Sequence, residues 1–409
     1  MTVVNQVDVP ESFAWGTTVI RRRDGAIPFL MYEPRREHLA DLLQDVARWT
    51  GRDLIVQGER RVSTEMFLGA VTDVAAHLVS AGVRPGDRVL LLAPNSPEWV
   101  VAFWAAAACG AIVVPANGWW SAEELAHAVA LVEPAVVIAD ERRFERLEAD
   151  VPRIDIAELR RLVETAAPRS APPPVVAGDG SEDDPVVIVF TSGTTGLPKG
   201  AVLAHRSIIG NLHNMLVTSK RLPHMLPREG RGQVSLHTFP LFHIGGIQVM
   251  CFSMLTGGTM VFLEGRFSAD TVLDLIEREQ VELWGAIPTM AMRVLDDPTL
   301  GERNLDSIRS ISLGGAPVSA ELVRRLASAF PNLRRAVSAN YGMTEAGGSV
   351  ASASGAVMAD NPGTSGRPLP VVELRIDRPD ETGAGEILVR TPGQMLGYWQ
   401  DPDNDLVDH

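Results

Sequence analysis

From Ser63 onward, apolar residues recur alternately at helical and at strand spacing. Met66, Phe67, Ala70, Val71, Val74 and Leu78 share one face of a predicted helix, which Gly82 terminates. Residues 88–92 read as a short apolar strand. Asn95-Ser96-Pro97-Glu98 has the form of a helix cap and opens a buried helix over about 97–109, followed by a glycine stop at Gly110 and a buried strand over 111–114. Ser121 with Glu124 three residues on is a capping box, and the helix it opens ends before a strand at 135–139. The alternation resumes with strands at 186–190, 259–263, 281–284 and 308–313 and helices at 206–219, 246–255 and 268–280. Such a pattern predicts mainly parallel sheet covered on both faces. After Asn361 the style changes. Residues 371–377 and 386–390 alternate with period two between Gly- and Pro-rich turns, an antiparallel hairpin or small-barrel pattern. Residues 168–185, rich in Pro, Gly, Ser and acids, read as a surface connection.

One apolar run, 99–116, has the 18 residues at which a membrane-spanning helix becomes possible. Its many alanines, Gly110, Pro115 and the polar cap before it favour a buried helix and strand instead. No transmembrane segment is expected. No basic segment followed by an apolar core stands in residues 1–25, so no secretory signal is visible. Composition agrees with a globular protein. The 409 residues are 45% hydrophobic and 22% charged, which excludes a disordered or collagen-like chain. Acidic residues number 51 against 37 basic ones, a formal charge of −14, so a nucleic-acid partner held by a broad basic surface is not expected. Cys109 and Cys251 sit in apolar surroundings and predict buried thiols in a reducing, cytoplasmic setting.

The strand Val186-Val-Ile-Val-Phe190 runs into Thr191-Ser-Gly-Thr-Thr-Gly-Leu-Pro-Lys-Gly200. Small residues let backbone N–H groups approach phosphate oxygens, the hydroxyls add donors and Lys199 supplies a cation. The usual triphosphatase loop needs Gly-Lys followed by Ser or Thr, whereas here Pro198 precedes Lys199 and Gly200 follows it. The loop instead resembles the signature of the adenylate-forming superfamily of acyl- and aryl-CoA ligases, adenylation domains and luciferases. Four further motifs follow in that superfamily's order. They are Pro240-Leu-Phe-His-Ile-Gly-Gly246, Ile287-Pro-Thr289 with Gly314-Gly-Ala-Pro317, Asn340-Tyr-Gly-Met-Thr-Glu345, and Gly385-Glu-Ile-Leu-Val389 with Gly397-Tyr-Trp399.

The resemblance implies a large N-terminal domain spanning 1–409. Its parts would be a first α/β subdomain at about 50–225, a second at 226–360 and a β-barrel-like subdomain at 361–409. The implied fold is α/β: two stacked, doubly wound, mainly parallel sheets with flanking helices plus a small antiparallel β-barrel. ATP or AMP would be held by Thr191, Ser192, Gly193, Thr194, Thr195, Gly196, Lys199, Gly315, Ala316, Pro317, Asn340, Tyr341, Gly342, Met343 and Thr344. Tyr341 offers a flat face for a purine, and Gly342 permits close backbone approach. Glu345, with Thr195, would hold magnesium, a hard cation that takes oxygen ligands. Lys199, His243, Thr344 and Glu345 are the implied catalytic residues, with His243 in the carboxylate pocket. The remaining histidines show no paired metal-ligand spacing, so a zinc site is not expected.

The implied reaction joins a substrate carboxylate to the α-phosphate of ATP, releases pyrophosphate, and passes the acyl group from acyl-AMP to coenzyme A. Relatives that activate amino acids carry an Asp after the Phe of the Pro240–Gly246 motif. His243 stands there instead, which favours an acid without an α-amino group: fatty, aryl or otherwise bulky. Phe242, His243, Ile244, Ile247, Trp284, Ala286, Met290, Gly314, Gly315 and Gly342 would line the pocket. Asn117-Gly-Trp-Trp120 resembles a branch of bacterial acyl-CoA ligases acting on bulky acids. Two other readings stand beside this one: an amide bond synthetase with an amine in place of the thiol, and a non-catalytic nucleotide-binding domain. A homodimer is also allowed for. In the family a Thr-Gly-Asp motif, a hinge and a small C-terminal lid domain come next. The residues to His409 carry none of them and are expected by themselves to bind nucleotide weakly and adenylate poorly.

Overall fold

Helices sandwiched between two sheets form the centre of the computed structural model, which describes residues 15–22, 28–174, 180–191, 196–333, 337–361 and 363–401. Among these residues the first sheet has seven strands. In spatial order they are Gly397–Tyr398, Lys199–Ala204, Pro185–Thr191, Ile112–Pro115, Arg88–Leu92, Val136–Ala139 and Arg153–Asp155. The last five are mutually parallel and the first two antiparallel. The second sheet has nine, in the order Arg367–Pro368, Gly348–Ser354, Val337–Met343, Ser310–Gly314, Leu283–Ala286, Val234–His237, Thr259–Phe262, Asp53–Gln57 and Arg60–Ser63. Its six central strands are parallel, and antiparallel strands close both edges.

The strands explain the layering, because successive residues face opposite sides. In Arg88–Leu92, Val89 and Leu91 join the core between the sheets, while Leu90 and Leu92 join a core on the outer side. Val187 and Val189 face inward in the same way, and Ile188 and Phe190 outward. In the second sheet Met260 and Phe262 face the shared core and Val261 the outer one. The helices between the sheets include Thr64–Ser80, Pro97–Ala108, His205–Thr218 and Ile244–Leu255. Pro97–Ala108 is buried on every side and touches Arg88–Leu92, Ile112–Pro115 and Asp53–Gln57, so it packs on both sheets. That position accounts for its unbroken apolar run. Among the described residues no helix is long and apolar enough to cross a membrane.

Local signals set the helix starts. Ser63 accepts a bond from the Met66 N–H, Ser96 from the Trp99 N–H, and Ser121 and Glu124 make both halves of their capping box. Gly82 and Gly110 follow their helices with φ of 94° and 72°, a region that favours glycine. Cys109 and Cys251 are buried and free, and burial pushes their thiols up to about 11 and about 12.

Three placements differ from the sequence pattern. Lys199–Ala204 is a strand, antiparallel to Pro185–Thr191, with Lys199 opposite Thr191. Asp53–Gln57 and Arg60–Ser63, which fall within 50–225, belong to the second sheet. The described residues of 361–409 do not close a barrel. Glu373–Asp377 and Glu386–Arg390 form a two-stranded hairpin, while Arg367–Pro368 and Gly397–Tyr398 pair onto the second and first sheets respectively. Strand edges of the large sheets offer unpaired backbone groups, and these short segments satisfy them.

Two histidines are buried neutral. His213 donates from Nε2 to the Gly16 carbonyl at 2.8 Å, and His237 Nε2 meets the Ser235 hydroxyl at 2.9 Å. Burial lowers them to about 3 and about 4. Their unfolded values lie near 6.5, so between there and pH 4 the unfolded chain binds more protons and stability falls as pH falls. Two such groups contribute a slope of up to about 3 kcal/mol per pH unit. Denaturant unfolding at pH 7.5 and pH 5 should therefore show the lower midpoint at pH 5, whereas equal midpoints would contradict the burial of neutral imidazoles.

Candidate active site

The antiparallel strand pair that flanks the glycine-rich loop delivers Thr191 and Lys199 side by side at the end of the first sheet. Ser192, Gly193, Thr194 and Thr195 lie outside the described residues. Gly196, exposed, has φ of 91° with open space where a Cβ would be. The loop's base is anchored by His127, whose Nε2–H donates to the Pro198 carbonyl at 3.1 Å.

Lys199 does not stand alone. Its Nζ lies 3.4 Å from Asp401 Oδ2 and 5.1 Å from the centre of the Tyr398 ring. The Tyr398 hydroxyl donates to Glu345 Oε1 at 2.8 Å, and the Thr191 hydroxyl reaches the same phenol. Burial, reinforced by Glu345, pushes Tyr398 up to about 12, so it remains a protonated donor. Glu345 sits in the short turn Thr344–Ala346, which continues directly from strand Val337–Met343 of the second sheet. Tyr398 thus joins a cation from one sheet to a carboxylate from the other.

The residues around Tyr398 form a strap between the sheets. Arg206 donates to the carbonyls of Pro392 (2.8 Å) and Gln394 (3.1 Å), and the Ser207 hydroxyl to Gln394 (2.9 Å). The Met395 N–H donates to the Glu345 carbonyl at 2.8 Å, and the Leu396 and Trp399 N–H groups donate to Val202 and Gly200. Gly347, at φ of 71°, lies against this strap, and an added Cβ would collide with the Gly393 carbonyl.

The remaining motifs meet along the second sheet. Gly314 and Asn340 are paired in register at the ends of adjacent parallel strands, and Asn340 Nδ2 donates to the Ser312 hydroxyl at 3.0 Å. Gly315 has φ of 75°, and Gly315, Ala316 and Pro317 are exposed. Tyr341 is half-buried and, with Met343, packs on a small cluster of Ala346, Val350, Leu369 and Val372. Gly342 lies at a register shift against Gly348–Ser354, where an added Cβ would strike the Gly348 carbonyl.

His243 precedes helix Ile244–Leu255 with an open ring stacked obliquely on Phe242 at 4.4 Å. Surrounding protein lowers its pKa from the ordinary value, favouring the neutral imidazole. Phe242 in turn meets the edge of Trp119 at 5.5 Å, and Trp119 is 73% exposed. Asn95 fixes the segment before them, donating to the Phe239 carbonyl at 2.7 Å and accepting from the Leu241 N–H at 2.9 Å. Gln248, one turn into the helix, donates to the Gly347 carbonyl at 3.0 Å and so couples this wall to the Glu345 turn.

Some expected pocket residues are placed elsewhere. Trp284 and Ala286 share the outward face of their strand and are fully buried in the outer core, with Trp284 Nε1 donating to Thr238 at 3.3 Å. Ile247 is fully buried in the shared core, and Met290 packs half-buried on the outer one. Trp284, Ala286 and Ile247 offer no open pocket wall, because strand and helix periodicity turns them inward. Gly285, between Trp284 and Ala286, faces the Phe239 ring instead. The sequence motifs did not single out Asn95, His127 or the bridging role of Tyr398. Gly397-Tyr-Trp399 was the available signal for Tyr398, but its partners lie more than fifty residues away.

The sequence profile of the AMP-binding enzyme family matches residues 42–399. The chain belongs to that family. It is 34% identical over 340 residues to a feruloyl-CoA synthase of Amycolatopsis sp, covering 81% of this chain and 65% of that protein. It is 33% identical over 364 residues to 4-coumarate–CoA ligase 2 of Oryza sativa subsp. japonica, covering 80% and 62%. The chain therefore spans just under two thirds of the length of these relatives. The fold is similar to the N-terminal domain of FACL13 from Mycobacterium tuberculosis, with a TM-score of 0.77, 26% identity, and coverage of 90% of this chain and 92% of that one.

Gly342→Ala should destabilise the protein by about 1–3 kcal/mol through the clash with the neighbouring strand. Urea unfolding measures it, and an unchanged midpoint would show that the strand pair has slack.

Proposed function

We propose that the protein activates a carboxylic acid lacking an α-amino group with ATP, forming an acyl-adenylate, and transfers the acyl group to coenzyme A. The observation that carries this reading is the convergence of Thr191, Lys199 and Glu345 on Tyr398, which gathers a cation, hydroxyls and a carboxylate at one place. The names of the aryl-CoA-forming relatives support it.

In the first half-reaction a carboxylate oxygen bonds to the α-phosphorus and the bond to the pyrophosphate oxygen breaks. Negative charge spreads over the phosphoryl oxygens, and Lys199 stabilises it once its ammonium exchanges Asp401 for phosphate. Thr191 and the loop residues 192–196 are the proposed hydroxyl and amide donors, with Met343 and Thr344 alongside the nucleotide. Gly315, Ala316, Pro317, Asn340, Tyr341 and Gly342 are the proposed nucleoside contacts. Among the described residues no group of three or more His, Cys, Asp or Glu side chains converges as a metal site. Magnesium takes oxygen ligands, phosphate and water among them. Glu345 would hold it: Oε1 accepts the Tyr398 proton, leaving Oε2 for a cation. When bound, the ion neutralises triphosphate charge.

In the second half-reaction the thiol sulfur bonds to the acyl carbon, the bond to the adenylate oxygen breaks so that AMP leaves, and the sulfur's proton passes to solvent. Neutral His243 stands beside the proposed carboxylate position as a hydrogen-bond partner. Phe242 and exposed Trp119 form an aromatic wall suited to a bulky or aryl acid.

Incubating the full-length protein with ATP, magnesium and a panel of acids, first with coenzyme A and then with amines, tests the proposal. Acid-dependent pyrophosphate release with thioester formation is expected. Amide products without thioester would replace the thiol by an amine, and nucleotide binding without release would indicate a non-catalytic domain. Glu345→Gln should lower magnesium-dependent pyrophosphate exchange at least a hundredfold, about 3 kcal/mol of transition-state stabilisation. Exchange at the wild-type rate would remove Glu345 from the site. Trp119→Ala should raise KM for aryl acids about tenfold while sparing small aliphatic acids, roughly the loss of one aromatic contact. An equal effect on both would assign Trp119 to folding.

A further inference from the structure

At the opposite end of the second sheet lies a cleft of about 510 Å³ that the proposed reaction does not use. Its floor includes Asp53, Val234 and Thr259, each the first residue of its strand. The wall from His237 onward leads to the candidate active site, so the two places are separated by at least the length of a four-residue strand, about 13 Å.

Four arginines line this cleft, Arg52, Arg61, Arg231 and Arg278, against two carboxylates, Asp53 and Glu279. In a chain carrying 51 acids and 37 bases, a concentration of cations in one concavity runs against the overall balance. The way each arginine is held divides them. Arg61 and Arg278 both bond the Glu279 carboxylate, at 2.8 and 3.1 Å, which offsets their charge. Among the described residues Arg52 donates to carbonyls: Gly257 at 3.1 Å, and Pro227, Arg228 and Glu229 at 3.0, 2.9 and 3.4 Å. Arg231 donates to the carbonyls of Glu279 and Gln280, with its nearest carboxylate, Glu282, at 3.8 Å. A carbonyl fixes a guanidinium in place but cancels no formal charge. Arg52 is further held flat on Trp49, 4.5 Å from the ring centre. Arg52, held by carbonyls, and Arg231, paired with Glu282 at 3.8 Å, are two oriented cations facing one cavity, an arrangement suited to phosphoryl oxygens.

Burial lowers the pKa of Arg52 from its ordinary value, and nearby Arg48 is lowered by burial and by the positive charges of Arg228 and Arg52. Gly51 and Gly230 at the rim have no atom near where a Cβ would stand, so the mouth is open beside the guanidinium groups.

We propose that this arginine-lined cleft is a second binding site, for a polyphosphate anion carried either as free pyrophosphate or as the tail of a nucleotide. Titration calorimetry on the full-length protein carrying Lys199→Ala, which removes the cation of the candidate active-site loop, tests it, with the binding lost on Arg231→Gln assigned to the cleft. Inorganic pyrophosphate should bind saturably, with an affinity that falls as sodium chloride is raised. Adding Arg52→Gln or Arg231→Gln should weaken binding about tenfold, one charge-assisted bond's worth. A parallel titration with a nucleoside triphosphate, read as the binding lost on Arg231→Gln, separates the two sources: equal affinity assigns recognition to the phosphates alone, tighter binding to a nucleotide. Arg231 is half exposed and held to the carbonyls of Glu279 and Gln280 and to the Glu282 carboxylate, so if Arg52→Gln fails to fold, Arg231→Gln alone decides. Absence of saturable pyrophosphate binding in the Lys199→Ala protein, or binding indifferent to Arg231→Gln, overturns the proposal.

Discussion

Two sheets whose strands are apolar on both faces need four faces covered, and the molecule is organised by that requirement. One layer of helices serves both inner faces at once. It must therefore be apolar all round, as Pro97–Ala108 is, with Trp99, Phe103 and Trp104 fully buried. Truncating any one of those rings would cost about 3–5 kcal/mol. Because the sheets share this layer, their relative placement follows from packing rather than from a flexible linker, and residues from both can meet at fixed distance.

The strap at 391–399 uses that fixed placement. Its backbone bonds to Gly200 and Val202 on one side and to Glu345 on the other, while Arg206 and Ser207 hold it from the start of a central helix. Tyr398 is consequently the point at which the first sheet's lysine and the second sheet's carboxylate are brought into register. A shift of the sheets relative to one another would separate the loop cation from Glu345 before disturbing either motif internally. The tight contacts at Gly342 and Gly347 serve the same end, since each lets one backbone lie directly against another.

Much of the architecture was legible along the chain. Period-two and helical spacing, the serine caps and the glycine stops located most helices and central strands to within a few residues, because those signals are local. Less legible were strands whose partners lie far off. Lys199–Ala204 continues a polar loop, and Arg367–Pro368 and Gly397–Tyr398 are only two residues each, too short for any periodicity. The period-two pattern of the last segment does form an antiparallel pair, Glu373–Asp377 with Glu386–Arg390, while the two-residue strands on either side of it pair onto the edges of the two large sheets, where backbone groups stood unpaired.

The candidate site divides in the same way. The sequence by itself determined the chemical identities: the lysine after the glycine-rich loop, the Thr344-Glu345 pair, the histidine after Phe242, and the family to which the order of motifs belongs. Only the tertiary structure decided which of these meet. It put Tyr398 between Lys199 and Glu345, turned Trp284, Ala286 and Ile247 into the core, and left Trp119 open beside Phe242. The reason is physical. Residue type records what a side chain can do, whereas the face of a strand or helix on which it lands is settled by which sheet or layer covers that face.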